Sequence, residues 1–218
     1  MNYFIDFDHT LYKTPLLTTS MLNALSSYIS CNSNYSSQTI LKELTLKFRR
    51  GQGGIYNIYQ LINYFSNLPN YHFNIQEATN IVNNVVSNGS IFLYDDSISF
   101  LDYLKKQGNN VYILSYNEND TYFQALKIAG SGILHLVDGI IPTTTMKGDM
   151  PLDFKNSIFI DDNPKDLISI YNRNPYKIYR IRRKNDTYSK EETNLPIPEY
   201  EKLTDLMETN YMNVNSFP

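Results

Sequence analysis

Cysteine is almost missing from this chain. With Cys31 alone among 218 residues, there is no internal disulfide framework and no zinc site built from several cysteines. Cys31 reads as incidental. The three histidines, His9, His72 and His135, show no ligand spacing, which removes the other common route to zinc. Long apolar runs are missing as well: no stretch approaches the roughly 18 residues that a membrane span needs. The N-terminus places Asp6 and Asp8 where a signal peptide would have its apolar core. A cytoplasmic protein without a membrane partner is the expectation. Charge of one sign is also scarce: a formal net charge of -3 argues against broad nucleic-acid binding, while leaving room for a local basic patch.

What is present suits a globular α/β protein. Hydrophobic residues make up 42% and charged residues 19%, and the length allows one core domain with a smaller insertion. Apolar, β-prone runs predict strands at 3–7, 111–114, 140–141, 157–160 and 177–181, with helical patterns after 96, 120 and 164. That alternation predicts a doubly wound, mainly parallel sheet. From 18 to 89 the pattern is helical throughout. Helices are expected at Met21–Ile29, capped by Ser20, and at Thr39–Phe48, Ile55–Phe65 and Ile75–Val86. The expected division is a core of 1–17 with 90–218 and an inserted helical domain of 18–89. Pro15 suggests an irregular exit over Lys13–Leu17, and Pro142 a break after the third strand. Lys177–Ile181 reads as an edge strand, followed by a last amphipathic helix from Glu199 to Met207.

The stretch with most chemistry in it is Tyr3 to Tyr12, YFIDFDHTLY. An apolar strand ends in Asp6 and Asp8, followed by His9 and Thr10. Two carboxylates near the end of a strand can converge on one crevice, and a bound cation is the simplest way to keep both ionised. A strand end with helix-capping aspartates has the same short pattern.

This stretch resembles motif I of the haloacid-dehalogenase-like (HAD) superfamily, a hydrophobic strand followed by D-x-D-x-T. Three more motifs of that family follow in order: VYILS ending at Ser115, Lys147, and IFIDDNPKD with Asp161, Asp162 and Asp166. The resemblance covers Tyr3 to about Tyr171. It implies a Rossmann-like α/β core carrying a helical cap of the C1 type, with substrate bound between cap and core. It also implies roles. Asp6 is the nucleophile that forms an aspartyl-phosphate, and Asp8 donates a proton to the leaving group and offers its main-chain carbonyl to the metal. Ser115 and Lys147 hold the phosphate, and Thr10 and Asp166 support the site. Asp161 stands where the family's motif has glycine, in an acidic variant whose second aspartate, Asp162, is the direct metal ligand while Asp161 assists. Carboxylates with phosphate and water suit Mg2+ and accept Mn2+. His9, at a position the family varies, reads as a neighbour that shapes the turn.

The implied activity is Mg2+-dependent hydrolysis of a small phosphorylated metabolite. Transfer to another acceptor, a non-catalytic binding role and a 2-haloacid dehalogenase remain alternatives; the last needs neither the metal nor the second aspartate. Other features keep two readings each. Arg49 and Arg50, beside Gly51, Gly53 and Gly54, form either a solvated inter-helix turn or a loop that grips an anionic part of the substrate. Asp95 and Asp96 resemble a second metal pair but fit better as charges stabilising a helix N-terminus. The six basic residues from Arg173 to Lys184 suggest outward charges on an edge strand, or a polyanion surface.

Overall fold

The computed structural model describes residues 1–49, 53–117, 120–184 and 186–207. Six strands are described: β1 (Asn2–Ile5), β2 (Asn110–Tyr116), β3 (Gly139–Thr143), β4 (Ser157–Asp161), β5 (Lys177–Ile181) and β6 (Glu199–Tyr200). All neighbours pair in parallel, in the order β3-β2-β1-β4-β5-β6. Tyr3, Phe4 and Ile5 are apolar in succession because β1 is central, bonded at both edges and buried at both faces. From β1 the chain steps outward through β2 to β3, then returns past β1 to lay down β4. The strand order therefore reverses between β1 and β4. In open α/β sheets the crevice beyond the carboxyl ends of strands at such a reversal is the usual ligand site.

Between β1 and β2 in sequence lies a compact helical unit, Thr14–Ile91. It contains α1 (Thr14–Cys31), α2 (Ser37–Lys47), α3 (Ile58–Ser66) and α4 (Ile75–Ser87). Within this unit α1 packs on α2 and α4, and α4 also meets α3. Leu17, Met21, Leu25 and Ile29 repeat at helical spacing along α1 and are buried, as are Leu61 and Phe65 of α3 and Ala78, Val82 and Val86 of α4. Side-chain caps at Ser36, Asn57 and Asn74 start α2, α3 and α4, each accepting from backbone N–H groups of the first turn. The irregular exit expected at Lys13–Leu17 is instead the start of α1. Pro15 sits in the first turn, where the N–H groups have no intrahelical acceptor, so its missing donor costs nothing.

The other unit, Met1–Lys13 with Phe92–Pro218, carries the sheet together with α5 (Ser97–Lys106), α6 (Thr121–Gly130) and α7 (Pro164–Tyr171). Here α5 lies against β2, α6 against β3, and α7 against β4 and β5. Phe4, Leu114, Phe154, Phe159, Leu167, Ile170 and Ile178 form one apolar cluster under α7. Phe159 stacks on Phe4 at 5.2 Å and on Phe154 at 5.1 Å between ring centres. No helix among the described residues is long and apolar enough to cross a membrane.

Four sequence expectations change in this unit. Pro142 does not break β3 but lies within it, opposite Ser115, which an edge strand tolerates because one row of N–H groups is unpaired. Lys177–Ile181 is not an edge, since Glu199 and Tyr200 begin no helix and instead add β6 beside it; the helical residues come later, at 203–207. Its basic residues do not all face outward either. Arg180 is fully buried and bonds Glu199 at 3.0 Å, while Arg182 reaches Glu192 at 2.7 Å.

Arg183 changes the reading of Asp96. That carboxylate precedes α5 but makes no cap bond; both of its oxygens accept from Arg183, at 2.7 Å each. The same guanidinium lies 4.0 Å from the centre of the Tyr94 ring and donates to the Thr10 carbonyl at 2.8 Å. Asp95 pairs with Lys13 at 3.2 Å. Removing one member of a buried pair strands the other's charge, at about 3–5 kcal/mol. Arg183→Met is expected to lower the urea unfolding free energy by about that amount, with partial recovery when Asp96 is also made Leu. A loss below about 1 kcal/mol would mean that the pair is as weak as a surface ion pair.

Candidate active site

Where β1 ends at Ile5 the ladder continues by one bond, from the Asp6 N–H to the Ile160 carbonyl at 2.8 Å. That register sets Asp6 beside Asp161, the last residue of β4, and beside Asp162. One carboxylate oxygen from each of the three lies within 4.8 Å of the others, and all three residues are buried. Lys147 enters from a short 3-10 turn, Lys147–Asp149. Its ammonium stands 2.5 Å from Asp6 Oδ1, 2.6 Å from Asp161 Oδ2 and 3.9 Å from Asp166 Oδ2. This turn can lie so close to α7 only because residue 148 is glycine: a Cβ there would stand 2.3 Å from the Ser169 carbonyl oxygen.

Four carboxylates against one ammonium leave the cluster short of positive charge. Burial pushes Asp6 up to about 7; Lys147 opposes the rise, and Asp161 and Asp8 add to it. Asp162 is driven well above the ordinary carboxylate range by burial, then by Asp6 and Asp161. Burial also raises Asp166, to about 6. For Lys147 burial works toward neutrality, but Asp161, Asp6 and Asp166 outweigh it and keep it protonated.

Asp162 Oδ1 accepts from Thr10 Oγ1 at 3.3 Å, while Asp162 Oδ2 is buried with no hydrogen-bond partner among the described residues. A buried carboxylate oxygen without a donor, facing two more carboxylates, is what a cation would satisfy. The donors are all oxygen, so the set fits Mg2+ or Mn2+ and not zinc. Asp161 is used differently. Its Oδ2 takes Lys147 and its Oδ1 takes the Asn163 N–H at 2.9 Å, so it holds the lysine and the start of α7 while Asp162 keeps the open oxygen.

Asp8 has separate surroundings. Lys127 Nζ meets both its oxygens, at 2.7 and 2.8 Å, and Gln124 Nε2 donates to Oδ2 at 2.7 Å. The same Gln124 amide nitrogen donates to Ser115 Oγ, at the end of β2, at 2.6 Å. Sequence reasoning missed both α6 residues. Their signal was available but weak: Gln124, Lys127 and Ile128 form the buried stripe of α6, so two polar residues occupy places where apolar ones are usual.

Of the residues singled out in the sequence, Asp6, Thr10, Lys147, Asp161, Asp162 and Asp166 thus converge in one cluster, and Asp8 joins Ser115 through Gln124. His9 takes a left-handed backbone, φ 64°, and its ring bonds Asp186, whose carboxylate also accepts from Tyr94. This agrees with a residue that shapes the turn. Arg49 belongs to the helical unit and is exposed; Lys47, two residues before it, bonds the Gly53 carbonyl at 2.9 Å. Arg50 and Gly51 lie outside the described residues.

No family model matches the chain, nor does any curated protein. Solved structures do. A HAD phosphatase from Thermococcus onnurineus aligns over 96% of this chain and 97% of its own, with 17% identity and a TM-score of 0.62. The magnesium-bound HAD-type protein YfnB of Bacillus subtilis aligns over 95% and 97%, at 14% identity and 0.58. A 2-haloacid dehalogenase from Pseudomonas syringae pv. Tomato aligns over 97% and 98%, at 14% identity and 0.59. The chain has the haloacid-dehalogenase-like fold. Identities this low speak for the architecture alone, and both phosphatase and dehalogenase chemistry occur among these HAD-fold neighbours.

The raised carboxylates of this cluster carry a pH consequence. A group whose folded value lies above its unfolded one favours the fold fully at low pH and loses that contribution as pH climbs through the folded value. For Asp6, moved from 3.8 to about 7, the window runs from about pH 4 to about 7. Asp166 and Asp162 act with the same sign. Ion-free protein should therefore lose stability across this window, and the Tm gain on adding Mg2+ should grow over it. Melts with EDTA or Mg2+ at about pH 5 and about pH 8 test this. A gain independent of pH would separate the ion from the carboxylates.

Proposed function

We propose that the protein is a Mg2+-dependent phosphomonoesterase that works through an aspartyl-phosphate on Asp6. The observation that carries this reading is the division of labour between two aspartates two residues apart. Asp6 lies buried with Lys147 in a cation-deficient cluster, and Asp8, held by its own lysine and amide, is linked to the Ser115 hydroxyl through Gln124. A dehalogenase has no task for the second carboxylate or for the open Asp162 oxygen.

Asp6, Asp162 and the Asp8 main-chain carbonyl would hold the ion. When bound, it withdraws negative charge from the phosphoryl oxygens, so that an anionic nucleophile can approach. Asp6 then attacks phosphorus as the bond to the leaving oxygen breaks, and Asp8 gives that oxygen its proton. In the second half, water attacks the phosphoryl group and Asp8 takes the water's proton, releasing phosphate and restoring Asp6. The Ser115 hydroxyl and the Lys147 ammonium neutralise the transferred group's oxygens throughout. The substrate class is a small phosphorylated metabolite.

Hydrolysis of p-nitrophenyl phosphate should vanish with EDTA and return with Mg2+. Asp6→Asn should fold normally and lose turnover, since an amide cannot form the phosphoenzyme. Turnover that persists in metal-free buffer, or release of halide from a 2-haloalkanoate without metal, would overturn the assignment.

A further inference from the structure

The contacts around Asp8 raise the question of what directs its carboxylate. Asp8 sits on the turn after β1 with its side chain 21% exposed, so a short carboxylate there has water as an alternative partner. Both of its oxygens are nevertheless turned to α6. Lys127 is only 4% exposed and Gln124 is fully buried, which makes this no ordinary surface ion pair. Burying an ammonium is costly unless its partner is fixed, so the two side chains of α6 and the carboxylate specify one another's positions.

The Gln124 amide has a further constraint. Its nitrogen side must face Asp8, because the Asn117 side chain donates to its oxygen side at 3.4 Å and only the nitrogen side can donate to both Asp8 and Ser115. With its nitrogen also donating to Ser115 Oγ, the serine accepts there, so its own hydrogen is available to a different acceptor. One amide therefore couples the turn after β1 to the end of β2.

We propose that Gln124 and Lys127 are the positioning residues of the reaction, fixing the Asp8 carboxylate toward the leaving group and the Ser115 hydroxyl toward the phosphoryl oxygen. The proposal rests on the phosphomonoesterase reading for its kinetics but not for its geometry. Both side chains act through Asp8 and Ser115 and not on the substrate, so the effect is on rate and not on capture.

Lys127→Met and Gln124→Leu keep approximate volume and should fold. In each, kcat on an alkyl ester, 2-glycerol phosphate, is expected to fall about tenfold or more, within the span of general acid-base effects, with KM nearly constant. On p-nitrophenyl phosphate, whose leaving group needs little protonation, kcat should change by less than about threefold. Lys127→Arg should recover part of the loss. Equal losses on both esters, or a loss confined to KM, would make Lys127 a phosphate binder or a mere packing residue and overturn the proposal. A crystal structure of the double variant decides the geometry even if the parent proves to be no phosphatase. The Asp8 carboxylate should leave its place, and finding it unmoved would overturn the proposal independently of any turnover.

Discussion

One lysine buried among carboxylates governs this molecule. Unit charges about 4 Å apart at an effective dielectric near 20 interact by about 4 kcal/mol. Lys147 can therefore offset roughly one of the repulsions among Asp6, Asp161, Asp162 and Asp166, and not all of them. The rest appears as carboxylates raised out of their ordinary range and as an Asp162 oxygen with no donor among the described residues. Among the described residues, Lys147 does not balance the four carboxylates. Glycine at 148 brings the lysine in, the parallel register of β1 and β4 sets Asp6 beside Asp161, and the Asn163 cap starts α7 so that Asp166 lies beneath.

Two arginines hold the loops that carry these charges. Arg180 Nε donates to the Asp162 carbonyl at 3.3 Å and its Nη2 to the Tyr188 carbonyl at 2.9 Å. Arg183 does the same for Thr10. Backbone carbonyls at the ends of β1 and β4 are thus tied to β5 and the segment after it, and that segment needs little regular structure of its own to stay in place. Three of the six basic residues of the run, Arg180, Arg182 and Arg183, are taken up by Glu199, Glu192, Asp96 and main-chain oxygens. In these three arginines, charge that looks surplus in the sequence is internal wiring in the fold.

Much of the architecture is local information, and the sequence carried it alone. An apolar run such as Tyr3–Ile5 reports a strand buried on both faces, and carboxylates just past two such runs report where strands end. Helical spacing in α3 and α4 and asparagines before them report where helices lie and begin. Tertiary structure decided what depends on partners brought from afar. Pro15 and Pro142 are tolerated because one lies in a first turn and the other on an edge, and Glu199 pairs as a strand because β5 offers it an open edge. Lys127 and Asp8 are 119 residues apart in sequence, and Arg183 and Thr10 are 173 apart. Side-chain pattern records whether a residue prefers water or the core; which charge meets it there is set only when the chain closes.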